Sequence, residues 1–287
     1  MAQKLNAHLG KTFLSINKGA IAIVISAIMM GSLSVFVRNF SMHSTQITFF
    51  RLFMGLVYVS LIVLITKEEI KLQNPKIVFS LAFANILTIT FYITSIQLVE
   101  AATAALLLYM APIYVIPIVY FMGEKIEKKS WIAIPLGILG LYLMLSPYGG
   151  LNLGIIYGFL SGVCYSFMFV LTKKVREFMS SVQITFINFV VASVVLSPTL
   201  FIFPVEIDLT TVYWILALGL IPTALPFVLF NYGIKYCKVE QAPVLALIEP
   251  VSAGVFGYVV FSEIFELKQI VGAFIILFSV FLALKEG

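Results

Sequence analysis

The chain is a succession of long apolar runs, and this feature decides most of what it can fold into. Ten stretches of about 16 to 25 residues carry almost no charge: roughly 19–37, 46–66, 77–98, 101–121, 131–146, 153–172, 182–203, 211–235, 240–261 and 269–284. A bilayer core about 30 Å thick is crossed by a helix of around 20 apolar residues. The runs are continuous, whereas strands of a membrane β-barrel alternate polar and apolar over about ten residues. Short connections carry turn or charge signals: Lys67-Glu68-Glu69, Asn74-Pro75, Gly123-Glu124-Lys125, Pro147-Tyr148-Gly149-Gly150 and Lys173-Lys174. The third and fourth runs meet near Glu100 and read as a tight helical hairpin. The expected class is an all-α integral membrane protein with ten transmembrane helices. Composition agrees: 61% of the residues are hydrophobic and 11% charged, against about 25% charged in a soluble domain. A soluble enzyme, a disordered chain, a disulfide-stapled secreted domain and a nucleic-acid binder are all disfavoured.

The net charge of +5 must be located before it is interpreted. With the N-terminus inside, 15 of the 18 Lys and Arg fall on inside segments, Arg38 and Lys268 fall outside, and Arg51 lies within a span. Basic residues concentrate on the cytoplasmic side of membrane proteins, so both termini are expected in the cytoplasm. The basic excess then reports topology rather than an acidic partner. Residues 1–18 are polar and lysine-bearing, unlike a signal peptide. Leu5, Leu9, Phe13 and Ile16 would share one face of a surface helix; a disordered leader fits equally.

Metal and nucleophile chemistry find little support. Cys164 and Cys237 have no metal-type spacing, and His8 and His43 lie outside the apolar runs. Buried zinc or heme would lack ligands, and no nucleotide-binding loop is present. No cofactor and no nucleic-acid partner are expected.

The chain also repeats itself. Gln46-Ile47-Thr48-Phe49-Phe50-Arg51 in the second run matches Gln183-Ile184-Thr185-Phe186-Ile187-Asn188 in the seventh. Ser95 to Pro112 aligns without gaps to Gly233 to Pro250, setting Met110-Ala111-Pro112 against Ile248-Glu249-Pro250. Gly123-Glu124 and Ser262-Glu263 follow at similar distances. The expected organisation is an N-terminal cytoplasmic segment at 1–18, a first five-helix repeat at 19–146 and a second at 152–284. Five is odd, so the second copy enters the membrane inverted. Inverted repeats are an architecture of secondary transporters, with the substrate held near the midplane between them.

These repeat endings carry a resemblance. Ala104-Ala105-Leu106-Leu107-Leu108-Tyr109-Met110-Ala111-Pro112 through Gly123-Glu124, and Ala242-Pro243-Val244-Leu245-Ala246-Leu247-Ile248-Glu249-Pro250 through Ser262-Glu263, are similar to the EamA-type members of the drug/metabolite transporter superfamily. That pattern has small and Leu residues, a Glu-Pro pair, then a Gly-Glu. The second half keeps Glu249-Pro250 but has Ser262 for the Gly; the first keeps Gly123-Glu124 but has Ala111 for the Glu. The resemblance spans about Gly19 to Leu284 and implies a ten-helix transporter of small metabolites, often amino acids, usually moved outward.

Ionisable groups at bilayer depth are candidate functional groups, costing about 2.5–3.5 kcal/mol to insert. Glu249 lies about ten residues into the ninth run, roughly 15 Å deep and near the midplane. Pro243 and Pro250 flank it and free backbone carbonyls. It is either a cation- or proton-binding carboxylate or a structural one bonded to a neighbouring helix. Arg51 lies roughly 8–10 Å from the outer end of the second run. It can snorkel outward, bind a substrate carboxylate, or pair with Glu249; Asn188 occupies its place in the second copy. Asn85, Thr88 and Tyr92 share a helix face, and Tyr109 falls in the family-like stretch. Tyr165 and Met168 lie in the sixth run, and Pro222, Pro226 and Asn231 in the eighth. The candidate substrate-binding set is Arg51, Asn85, Tyr92, Tyr109, Tyr165, Asn188, Asn231 and Glu249. For any one aromatic or amide, helix packing is the competing role. Gly154, Gly158 and Gly162 form a small-residue face suited to close packing inside the protomer, with a homodimer contact as the alternative.

The expected function is secondary transport across the plasma membrane: export of small metabolites such as amino acids by alternating access. Coupling is either to protons through Glu249 or absent, with flow downhill. The partners are then a small-molecule substrate, membrane lipid and, in the coupled case, protons. Organic-cation efflux is the alternative within this class, with Glu249 as counter-charge. An intramembrane enzyme or a channel explains the isolated charges and the repeat less well.

Overall fold

The computed structural model describes residues 18–37, 39–99, 101–123, 126, 128, 130–145, 152–202, 208–262 and 264–284. The surface helix expected from Leu5, Leu9, Phe13 and Ile16 lies outside these residues, as do the connection at 146–151 and Glu100, Glu124 and Glu263. The described chain forms ten helical spans. They are α1 (Lys18–Val37), α2 (Ser44–Thr66), α3 (Pro75–Leu98), α4 (Ala101–Tyr109, then Ala111–Phe121) and α5 (Ser130–Leu145). The second half follows as α6 (Leu153–Val175), α7 (Ser181–Leu196, then Thr199–Ile202), α8 (Leu209–Gly219, Leu220–Ala224, Leu225–Ile234), α9 (Gln241–Ala246, then Ile248–Phe261) and α10 (Leu267–Leu284). Eight are long and apolar enough to cross a bilayer; α5 and α10 are shorter apolar helices. Large side chains such as Leu64, Ile65, Phe121, Phe201 and Val259 are exposed on the outside of the bundle. Such a surface needs lipid around it.

The sequence repeat has a local physical cause. α2 and α7 each open with a capping box: the side chain of His43 or Ser180 caps the third residue of the helix, and that residue, Gln46 or Gln183, returns its side chain to the cap's backbone N–H. The matching Gln-Ile-Thr segments are therefore two copies of one helix start. The repeat endings match too. Gly123 has φ +77° and Ser262 has φ 55°, so both adopt the left-handed conformation at equivalent turns. Glycine enters that region freely; serine pays a steric penalty there.

The two halves interlock about a pseudo-two-fold. α3 packs on α6 and α8 on α1 in the same register: Gly154 lies against Leu98 and Gly19 against Tyr236, and Leu98 and Tyr236 are equivalent in the repeat. α5 and α10 meet each other reciprocally. A Cβ on Gly140 would lie 2.7 Å from Gly272 O and 2.8 Å from Ile276 N. A Cβ on Gly272 would lie 2.5 Å from Gly140 O and 2.5 Å from Met144 N. The pairing works in both directions, as an axis between the two glycines requires. Gly158 and Gly162 pack on Ser95, Leu107 and Tyr114 of the first half, so this small-residue face is used inside the protomer.

Basic residues also serve structure on the face where α1 begins. Lys173 Nζ donates to Lys235 O at 2.7 Å and to Cys237 O at 2.5 Å. Arg176 Nε donates to Asn231 O at 2.6 Å, and its Nη1 to Met179 O. Both cations thus cap the carbonyl end of α8, where the helix dipole is negative. Arg176 is buried, and that burial pulls its guanidinium below the usual arginine value, with Tyr236 and Glu68 opposing.

Candidate substrate site

Two spans break where the halves meet. α9 stops at Ala246 and restarts at Ile248. Pro243 and Pro250 take away the N–H groups that Val239 O and Ala246 O would accept in an unbroken helix. Pro250 is tolerated in the restarted first turn, where N–H groups have no intrahelical partner anyway. Glu249 occupies that first turn, at the positive end of a half-helix. α4 breaks in the same way at Met110, with Pro112 at the restart. Met110 is two residues before Pro112 and Leu247 three before Pro250, so the breaks are equivalent within one residue.

The breaks face each other. Tyr109, the last residue before the α4 break, hydrogen-bonds the Glu249 side chain. Tyr165 of α6 stacks edge-on against Tyr109, ring centroids 6.5 Å apart at 77°. Phe169 and Phe230 extend this aromatic row, with centroid spacings of 4.8 and 5.4 Å. Tyr92 of α3 and Arg51 of α2 lie within electrostatic range of the same carboxyl group. These five side chains sit deep inside the bundle, each only partly accessible. One carboxyl, one guanidinium and three phenols converge there from five different helices.

Arg51 is also held structurally. Pro222 cannot donate to Leu218 O, and the Thr223 hydroxyl fills that place at 2.7 Å. Pro226 cannot donate to Pro222 O, and Arg51 Nη2 fills that place at 3.2 Å. Arg51 Nε donates to the same Thr223 hydroxyl at 3.1 Å. The α8 backbone passes through a π-helical turn at Leu220–Ala224, which contains Pro222 and ends two residues before Pro226. The Arg51 guanidinium carbon lies 6.0 Å from the centre of the Phe227 ring.

The other candidates sit apart from this cluster. Asn85 and Asn188 line a separate apolar cleft between α3 and α7, with Leu52, Ile89, Phe189 and Phe227 in its walls. Asn188 Oδ1 is buried there without a hydrogen-bond partner. Asn231 is spent on structure: its Nδ2 donates to Thr185 Oγ1 at 2.8 Å and its carbonyl accepts from Arg176. Thr88 bonds its own helix, donating to Ala84 O at 2.7 Å. Sequence reasoning missed Thr223. A Thr following the first of two prolines four apart, inside an apolar run, is the signal that could have found it. Among the described residues no three His, Cys, Asp or Glu side chains cluster in a way that could hold a metal.

Inverted five-helix repeats with broken helices meeting around a few polar groups define a secondary transporter, a class without catalytic constellations. The comparisons place it more closely. The profile of the EamA-like transporter family matches residues 17–146 and again residues 152–285, and the chain belongs to that family. An uncharacterized transporter of Archaeoglobus fulgidus is 46% identical over 268 residues, covering 93% of this chain and 97% of the relative. An S-adenosylmethionine uptake transporter of Rickettsia bellii is 22% identical, covering 82% of each chain. A solved crystal structure superposes with a TM-score of 0.81 at 15% identity, covering 92% of this chain and 96% of its own. The protein is therefore a multi-pass membrane transporter and not an enzyme.

Proposed function

We propose that the transporter carries a small amine-bearing, amino-acid-like solute across the plasma membrane by alternating access, with both termini in the cytoplasm. The reading rests chiefly on one observation: Glu249 and Tyr109 join the two helix breaks, with Arg51 in range of the same carboxyl group. A solute ammonium fits the Glu249 carboxylate and the surrounding phenol faces. A solute carboxylate fits Arg51, whose fork matches it. Asn85 and Asn188 line the neighbouring cleft, whose Leu, Ile and Phe walls suit the solute's apolar part, while Asn231 supports α8. Residues 19–146 and 152–284 act as the two inverted units, and one chain suffices, since the α6 glycines are used internally.

The family resemblance carried by the repeat endings implies export. The Rickettsia relatives named for S-adenosylmethionine uptake favour import, and they raise a second reading in which the solute is a sulfonium amino acid. Both solutes present the same zwitterionic head. Counterflow in proteoliposomes against amino acids, S-adenosylmethionine, simple amines and organic cations separates them. Exchange limited to zwitterions supports the first reading, and exchange of organic cations alone overturns it. An inward pH gradient that accelerates exchange in the native protein but not in Glu249→Gln supports proton coupling. A gradient without effect on the native protein removes it.

A further inference from the structure

The two seams that join the halves are equivalent by the repeat, yet one is bridged by a charged side chain and the other holds a narrow apolar cleft. The pseudo-two-fold exchanges the α2–α8 seam with the α7–α3 seam. At α2–α8, Gly55 and Gly219 bring the backbones together: a Cβ on Gly55 would lie 2.8 Å from Phe189 and 3.0 Å from Thr223, and one on Gly219 would meet Met54 Cβ. Arg51 closes this seam, reaching from α2 to Pro222 O and Thr223 Oγ1 of α8. At α7–α3, Ala192 stands in the place of Gly55 and Asn188 in that of Arg51, both lining the cleft. Asn85 takes the place of Thr223 across from them. Asn188 is 6% exposed and its Oδ1 has no donor. A buried acceptor without a partner is costly, and here it lies where its counterpart on the other seam is fully engaged.

We propose that Arg51 is the latch of the α2–α8 seam and that this structure is one end-state of an exchange in which the two seams trade places. In the other state Arg51 leaves Pro222 O and Thr223 for the Glu249 carboxylate, which already lies within its electrostatic range. The α2–α8 seam then opens, and α3 closes on α7 so that Asn188 Oδ1 gains a donor from Asn85. Arg51 acts as a positioning residue here, apart from any contact with solute. The inference rests on the transport reading above but names the moving parts, which can be watched without solute.

The test uses the full chain in lipid nanodiscs with Cys164 and Cys237 replaced by Ala and spin labels in two pairs. Ser41 with Thr210 reports the outer ends of α2 and α8, and Lys76 with Glu177 reports the opposite ends of α3 and α7. The native latch is expected to give one main distance for each pair. Removing charge-assisted hydrogen bonds shifts a two-state balance by about tenfold or more. Arg51→Gln is therefore expected to raise a longer Ser41–Thr210 population and a shorter Lys76–Glu177 population together. Thr223→Val is expected to do the same more weakly. Ala192→Phe, which fills the cleft, is expected to suppress both new populations when added to Thr223→Val. If the Thr223→Val distances match the native ones, or if one pair moves without the other, the latch is overturned. If Arg51→Gln does not fold, the Thr223→Val and Ala192→Phe comparison decides alone. Correlated distances in a protein that exchanges no zwitterion would leave the latch standing and remove the substrate reading; transport with fixed distances would do the reverse.

Discussion

α3 and α8 occupy equivalent places in the two halves, and they differ in how they treat the same backbone carbonyl. Extending the register that sets Ser95 against Gly233 pairs Ala84 with Pro222, Asn85 with Thr223 and Thr88 with Pro226. In α3 the helix runs unbroken from Pro75 to Leu98, and the Thr88 hydroxyl returns to Ala84 O. In α8 proline stands where Thr88 stood, and the carbonyl equivalent to Ala84 O is served instead by Arg51 from another helix. A local hydrogen bond has been replaced by one between elements 171 positions apart. Two copies of one unit thereby acquire different jobs: α3 is self-sufficient, and α8 depends on the opposite half of the molecule.

The strongest challenge to this contrast lies at the site both halves share. Glu249→Gln is expected to lower solute counterflow by on the order of 100-fold, since a buried charged partner is lost. The equivalent residue of the first half is Ala111, buried at 1% exposure, which has no group to lose. Counterflow within threefold of native for Glu249→Gln would put the functional centre elsewhere.

A double-mutant cycle tests α8 against α3 directly. Arg51→Gln alone is expected to destabilise by about 1–3 kcal/mol by leaving Pro222 O without its donor. Pro226→Thr gives α8 the residue that α3 carries and should restore a local cap. The combined variant should then recover about 1 kcal/mol or more of that loss, read from thermal unfolding in detergent. Strict additivity would show that the carbonyl is not what couples them.

The α5–α10 contact should respond alike from either side. Gly140→Ala and Gly272→Ala are each expected to cost about 1–3 kcal/mol through overpacking. A large difference between them in melting temperature would break the reciprocal geometry. Asn188→Leu, by contrast, removes a buried acceptor that has no donor, and should be neutral or stabilise by up to about 1 kcal/mol. Marked destabilisation would mean that Asn188 is bonded in the resting protein. A similarly small effect is expected at Ser262, which holds φ 55° where the first half has Gly123. Ser262→Gly should stabilise by about 1 kcal/mol, visible as a rise of a few degrees in melting temperature.

The spans, the repeat and the intramembrane positions of Arg51 and Glu249 were legible because each leaves a local mark. Apolar length sets a span, Gln46 and Gln183 mark helix starts, and a charge inside an apolar run is conspicuous. Pro243 and Pro250 pointed to a broken α9, and the break falls between them at Leu247. The partners of Arg51 were not legible. Its donation to Pro222 O depends on two prolines four apart in a helix far along the chain. Nothing near Arg51 in sequence announces them. Asn231 illustrates the reverse: an amide in an apolar run looked like a ligand-binding group, and its partner Thr185 lies 46 residues away. Periodicity places a side chain at a depth and on a face, but which distant polar group it meets depends on how helices cross.

The contact between Gly140 and Gly272 is isologous: each glycine meets the copy of itself. In an assembly of two identical subunits it would be the dimer interface, and here a single chain contains it. An exchange of roles between the halves is a swap about the axis passing through this point. The α2–α8 and α7–α3 seams, which differ, must open or close in such a swap, whereas a contact lying on the axis is carried into itself. The glycine crossing is thus the stationary point of the molecule: the place where two opposed conformations are the same, and where a spectroscopic label should report the least change while the rest of the bundle turns about it.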